Sequence, residues 1–97
     1  MNKDNRTFIE RYIDILIGCT IRCYDDASAT KNNGDEEGEL YYLAECRGLL
    51  ISLRALTEIG VGNYISEERE IALNKDIKSL ETAVNQAHDT GYYAIFD

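Results

Sequence analysis

Residues 40–59, LYYLAECRGLLISLRALTEI, form the most apolar and most regularly spaced stretch of the chain, and they constrain its fold more than any other. Tyr42, Cys46, Leu49, Leu53 and Leu56 step by four, three, four and three, the period of one helix face. Leu43, Leu50 and Ile51 widen that seam into a broad buried face. The polar residues Glu45, Arg47, Ser52, Arg54 and Glu58 are scattered singly, so no continuous polar stripe remains and both flanks of this helix are expected to be covered. Proline is absent from the 97 residues, so nothing forbids long helices on either side.

The neighbours repeat the pattern. Ile9, Tyr12, Leu16, Cys19 and Cys23 step by three, four, three and four, with Asp4 or Asn5 available as a cap. Phe8, Ile13, Ile17, Ile21 and Tyr24 lie beside or opposite that seam, so this helix is apolar around much of its girth. Residues 25–38, DDASATKNNGDEEG, carry the strongest loop signal and predict the hinge of a helical hairpin. Gly60 and Gly62 suit left-handed geometry where the central helix stops, and Ser66 caps a third helix with Glu67, Glu68 and Glu70 in its first turn. Leu73, Ile77, Leu80, Val84 and Ala87 form its seam. Asp89, Thr90 and Gly91 end it, leaving an aromatic tail at residues 92–97 that should dock onto its own core or onto a partner.

These spacings predict an all-α fold: a single domain over residues 1–97, an antiparallel three-helix bundle with helices over about residues 5–25, 37–59 and 67–88. A chain of this length buries roughly 60 to 65% of its unfolded surface, which leaves room for one core and no second domain. The helices offer more apolar surface than one small bundle hides, which favours a homodimer. The plainer alternative leaves Tyr12, Tyr24, Tyr41 and Tyr93 half exposed, with their hydroxyls in water.

Charge narrows the function. The net charge of -8 is uneven: residues 1–33 hold five basic and five acidic side chains and sum to zero. Residues 34–70 hold three basic and nine acidic. Such a field repels nucleic acid and anionic membrane and steers the protein toward basic surfaces. The apolar run at residues 15–19 is far short of a membrane span, and no basic segment followed by an apolar one marks a secretory signal. A cytoplasmic protein is expected. Three cysteines make no disulfide framework, and the sequon at Asn5 carries no weight in that compartment.

Tests for chemistry return little. Cys19, Cys23, Cys46 and His88 supply the donor types of a zinc site, but the cysteines fall on apolar seams where a thiol packs as a small hydrophobe. The acidic hinge has the outline of a calcium loop, yet with Gly34 at the glycine position, Ala29, Lys31 and Leu40 stand where ligands belong. Glu36 with Glu39, and Glu67 with Glu70, resemble half of the magnesium motif of all-helical nucleotide pyrophosphatases, whose second half, a Glu followed three residues later by Asp, is missing. His88 sits in a last helical turn and reads as a dipole-complementing residue. No catalytic signature is present, and neither an enzyme, a metal nor a cofactor is expected.

The short, acidic, tyrosine-bearing profile resembles that of small phage or mobile-element inhibitors of the anti-CRISPR and anti-restriction kind, a class defined by activity rather than by shared residues. That resemblance implies a protein-binding module that covers a basic surface of a nucleic-acid-processing complex, with no direct binding of nucleic acid and no membrane contact. Its steering groups would be Asp35, Glu36, Glu37, Glu39 and Glu45, joined by Glu67, Glu68 and Glu70. Tyr41, Tyr42 and the tail residues Tyr92, Tyr93 and Phe96 would anchor it. Two alternatives stand beside this reading. One is an oligomer that sequesters or senses a nucleotide-type ligand in a pocket between subunits, lined by Tyr and by Arg47 and Arg54. The other is a structural helical adaptor.

Overall fold

The computed structural model describes residues 3–96, with side chains from Phe8 onward. All secondary structure among them is helical: α1 (Lys3–Asn32), α2 (Glu36–Glu58) and α3 (Glu67–Thr90), with a 3-10 turn (Val61–Asn63) between the last two. The predicted helical bundle is therefore present, drawn out to 49 × 23 × 19 Å by the length of α1. At Lys3 the backbone is already helical. The side chains of Asp4 and Asn5, the expected caps, lie outside the described residues, as does Asp97.

The hinge is the main correction. Only residues 33–35 leave the helices, because α1 runs on through Asp25 and Asp26 to Asn32. The seam continues with them: Tyr24 and Ala27 are buried, and the Thr30 hydroxyl donates back to the Asp26 and Ala27 carbonyls at 3.0 and 2.8 Å. Gly34 then takes φ +76, Gly34 N–H donates to Lys31 O (3.0 Å) and Asp35 N–H to Thr30 O (2.9 Å). This is a Schellman ending, in which a left-handed glycine lets the last carbonyls find partners. Asp35 passes at once to the next helix, accepting from Gly38 N–H at 2.9 Å.

At the other junction, Gly60 takes the left-handed conformation at φ +88. Gly62 does not; its open side is filled by the Glu70 carboxylate, which would have to swing away to admit a larger residue. Val61 and Ile65 turn inward and tie the connection to the core. Ser66 caps α3 as expected, accepting from Arg69 N–H at 3.1 Å.

The core vindicates α3 and shifts α1. All five seam residues of α3 are buried, with Ala83 added. In α1 the buried residues are Ile13, Leu16, Thr20, Tyr24 and Ala27, whereas Tyr12 and Cys19 of the predicted seam face outward. Thr20 explains the shift: its hydroxyl donates to Leu16 O at 2.8 Å, so a residue that counts as polar in the pattern is buried fully satisfied. In α2, Leu43, Cys46, Leu50 and Leu53 are buried, and Tyr42, Leu49 and Leu56 pack against them. Ile51 belongs to neither group and is 70% exposed. One flank of α2 is thus open, along Leu40, Ala44, Ile51 and Ala55. Across the α1/α2 seam the Cys46 thiol reaches Thr20 O at 3.5 Å; α3 packs chiefly on α2 and touches α1 little.

Candidate functional site

The start of α2 gathers most of the acidic and aromatic residues singled out from sequence. Asp35 is spent on the cap, and Glu36 and Glu37 are exposed beside it. Leu40 and Tyr41, both more than half exposed, follow on the outer side of the same turns, and the Tyr41 ring meets Tyr42 edge-on at 5.2 Å. Leu40 was not legible as a surface residue, because its place at the head of an apolar run is also what a core residue shows. One face is therefore two carboxylates flanking two large apolar side chains.

Glu45 sits on the side of α2 nearest α1. The Tyr41 hydroxyl and then the Cys23 thiol (Sγ to Oε2, 3.1 Å) donate to its carboxylate and hold its pKa below the usual value. The reciprocal effects follow: Tyr41 is raised by that hydrogen bond, and Cys23 is pushed up to about 11, first by burial and then by the Glu45 contact. A thiol held that firmly in its protonated form is a poor nucleophile or ligand.

Glu39 leans to the opposite side of α2 and receives the tail. The Tyr93 hydroxyl donates to Glu39 Oε2 at 2.6 Å, and burial together with that carboxylate raises the Tyr93 pKa. Ala94 N–H donates to the Tyr24 hydroxyl at 2.6 Å. The Tyr24 ring lies 5.1 Å from Tyr93 and 5.2 Å from Phe96 in tilted and edge-on contacts. Lys31 completes the enclosure, donating to Gly91 O with its ammonium 5.7 Å from the Tyr93 ring. The tail therefore docks onto its own core, in the gap that α3 leaves beside α1. Tyr93 and Phe96 serve that packing, and Tyr92 alone of the three tail aromatics stays mostly exposed.

Glu67, Glu68 and Glu70 are not part of this end. They begin α3, where Arg69 pairs with Asp14 of α1. The start of α2 adjoins Thr30 instead, about 24 Å further along α1 at 1.5 Å per residue. The two acidic groups therefore cap opposite ends of the bundle. Only the path of the chain in space separates them.

Arg47 and Arg54 do come together. Both line a groove of about 650 Å³ between α2 and α3, floored by Leu50, Ile51 and Val84. Lys78 and Asn85 enter it from α3, and Arg54 pairs with Glu81 across it at 2.6 Å. The groove lies within one chain and no tyrosine lines it, unlike the pocket between subunits that the sequence suggested. Lys78 was missed because its partners are remote in sequence.

The three cysteines do not converge: Cys19 faces outward, Cys23 bonds Glu45 and Cys46 is buried against Thr20 O. Among the described residues no group of three or more His, Cys, Asp or Glu is arranged to hold a metal ion. His88 is exposed beside Asp89, Nδ1 to Oδ1 3.3 Å. No helix in the described residues is long and apolar enough to cross a membrane. No family model, curated protein or solved structure matches this chain.

Proposed function

We propose that this protein is a cytoplasmic, non-catalytic protein-binding module that inhibits a nucleic-acid-processing complex by covering a basic surface. The observation that carries the reading is the outer face of the first turns of α2, where Glu36 and Glu37 flank exposed Leu40 and Tyr41. Carboxylates steer and orient, and a desolvated aromatic or aliphatic anchor supplies most of the binding energy at such interfaces. Glu67, Glu68 and Glu70 act apart from this face, as a second acidic pole. An antiparallel arrangement of the three helices is supported by the contacts of Thr20 with Cys46, Cys23 with Glu45 and Arg54 with Glu81. The same reading takes the protein to be a homodimer, since α1 leaves an apolar stripe uncovered.

The test uses transformation efficiency in a panel of bacterial strains with active restriction or CRISPR interference, with and without the protein. The wild type should relieve interference in at least one strain by about tenfold or more, far above the scatter expected of a protein that binds no component of the system. Glu36→Gln with Glu37→Gln should abolish most of that relief. This pair spares the Asp35 cap and the Glu39 anchor of the tail, so folding is not at stake. Relief that persists undiminished in the double variant would remove the electrostatic part of the reading, and no relief in any strain would remove the inhibitor.

A second reading has one specific observation in its favour. Arg47, Arg54 and Lys78 outnumber Glu58 and Glu81 in a single apolar-floored groove of a chain of net charge -8, and Arg47 and Lys78 remain to meet a ligand where Arg54 is paired with Glu81. An anionic ligand with a flat apolar body, of nucleotide type, suits such a groove. Thermal denaturation in millimolar ATP, GTP and cyclic nucleotides should then raise the melting temperature, and Arg47→Ala with Lys78→Ala should cancel the rise. A flat response to all of them rejects this reading.

A further inference from the structure

We infer that the second subunit of the dimer reads the outer stripe of α1, so that two copies pack α1 against α1 in an antiparallel pair; this rests on the homodimer reading above. Phe8, Tyr12, Ile15 and Cys19 step by four, three and four along one line of the helix. Phe8 is 69% exposed, Tyr12 48% and Ile15 53%, and Cys19 is open as well. Asp14, the α1 residue that pairs with Arg69, projects more than a quarter-turn away from the centre of the stripe, so α3 does not cover it. The stripe lies instead toward the flank where Cys23 meets Glu45. By helical phase Ile59, 77% exposed at the end of α2, falls on the flank of α2 that carries Glu45.

Three features choose a second copy over a foreign partner. The first is symmetry. In an antiparallel pair whose axis passes between Tyr12 and Ile15, Phe8 faces Cys19 of the partner subunit and Tyr12 faces Ile15 of the partner subunit. Each contact sets a large side chain against a smaller one, and the seam is self-complementary, as a two-fold interface must be.

Charge is the second. Residues 1–33 carry five basic and five acidic side chains, so two α1 helices approach without net repulsion, while the rest of the chain carries all of the -8. The Thr30 end of α1, where the acidic start of α2 adjoins, lies roughly 17 Å beyond Cys19, about two screening lengths at physiological salt. In the antiparallel pair the two starts of α2 point to opposite poles, while Glu67, Glu68 and Glu70 lie level with Asp14, near the axis but on the α3 side of α1, where Asp14 is paired with Arg69.

Area is the third. Four side chains exposed to this degree present on the order of 400 Å², about half of the roughly 800 Å² per partner of a standard interface, and Ile59 adds to it.

Light scattering on size-exclusion fractions tests the inference on three full-length proteins. The wild type should carry twice the chain mass, Ile15→Glu should carry one chain mass, and Ile51→Glu, at a still more exposed position in the α2/α3 groove, should stay at twice. Both altered residues are exposed in the single chain, so circular dichroism should show both variants folded. Alkylation of Cys19 by N-ethylmaleimide supplies an independent readout. It should slow several-fold as wild-type concentration rises and stay constant in Ile15→Glu. A dimeric wild type whose Ile15→Glu variant is also dimeric overturns this interface and leaves the dimer standing. A monomeric wild type overturns both, and neither result touches the inhibitor assay.

Discussion

Replacing Tyr24 by alanine is expected to destabilise the protein by about 3–5 kcal/mol, the range for removing a buried aromatic side chain. Tyr24 is 1% exposed, and three contacts of the tail converge on it: the Tyr93 ring, the Phe96 ring and the Ala94 amide. Truncation opens a cavity beside α1 and at the same time frees the tail that fills the gap to α3. A domain of this length has about 5–15 kcal/mol in all, so about a fifth or more of its stability is at risk. The midpoint of thermal unfolding should fall by about 15–30 °C. Tyr24→Phe isolates the hydroxyl. It keeps the rings packed but strips the Ala94 N–H of its acceptor, at about 1 kcal/mol. Urea melts of the two variants decide the matter: an alanine variant within 1 kcal/mol of wild type would mean that the docked tail contributes nothing.

The second large effect is alkaline unfolding. Cys46 is fully buried, and burial first, with the Cys23 and Glu45 charges adding, pushes its thiol up to about 12 from an ordinary 9.0. Cys23 rises to about 11 from the same value, and Tyr24 and Tyr93 are raised mainly by burial. All four are neutral when protonated. The folded state therefore holds their protons more tightly than the unfolded chain does, and the stability they contribute is complete below about pH 9 and lost as pH rises toward 12. Each proton released on unfolding costs about 1.4 kcal/mol per pH unit, so the two thiols alone remove on the order of 5 kcal/mol between about pH 9 and pH 11. Helical content should collapse cooperatively in that interval. Cys46→Ala should be somewhat less stable at neutral pH and lose stability less steeply above pH 9. Parallel slopes for wild type and variant would show that Cys46 is not the titrating group.

The sequence made α3 legible because all of its seam is aliphatic and no buried position is polar. α1 was harder for a single reason of chemistry: Thr20 satisfies its own hydroxyl against Leu16 O, so a threonine does the work of a core residue, and a pattern that counts it as polar turns the helix by about a residue. The hinge misled for a related reason. Asp25, Asp26 and Ser28 look like loop residues, yet they occupy the open sides of a helix whose inner side, Tyr24 and Ala27, continues the seam. Of the candidate site, local features were legible, namely the acidic Glu36 and Glu37 at the start of α2 and the aromatic tail, whereas the use of Asp35 as the cap of α2 was not. What depends on the third dimension was not. The separation of Glu67 from Glu36, the use of Glu39 to hold Tyr93, and the arrival of Lys78 beside Arg47 and Arg54 each join residues far apart in the chain.

The docked tail also orders the assembly of the fold in time. Pairing of α1 with α2 needs only the three residues between them to turn, a local and fast event. The bond from Ala94 to Tyr24 spans 70 residues and has no site to enter until both helices and α3 are in place. Contacts of that separation pay their loop-closure entropy last. The C-terminal segment is accordingly the long-range clasp of this molecule, tying its tail to Tyr24 of α1 across 70 residues.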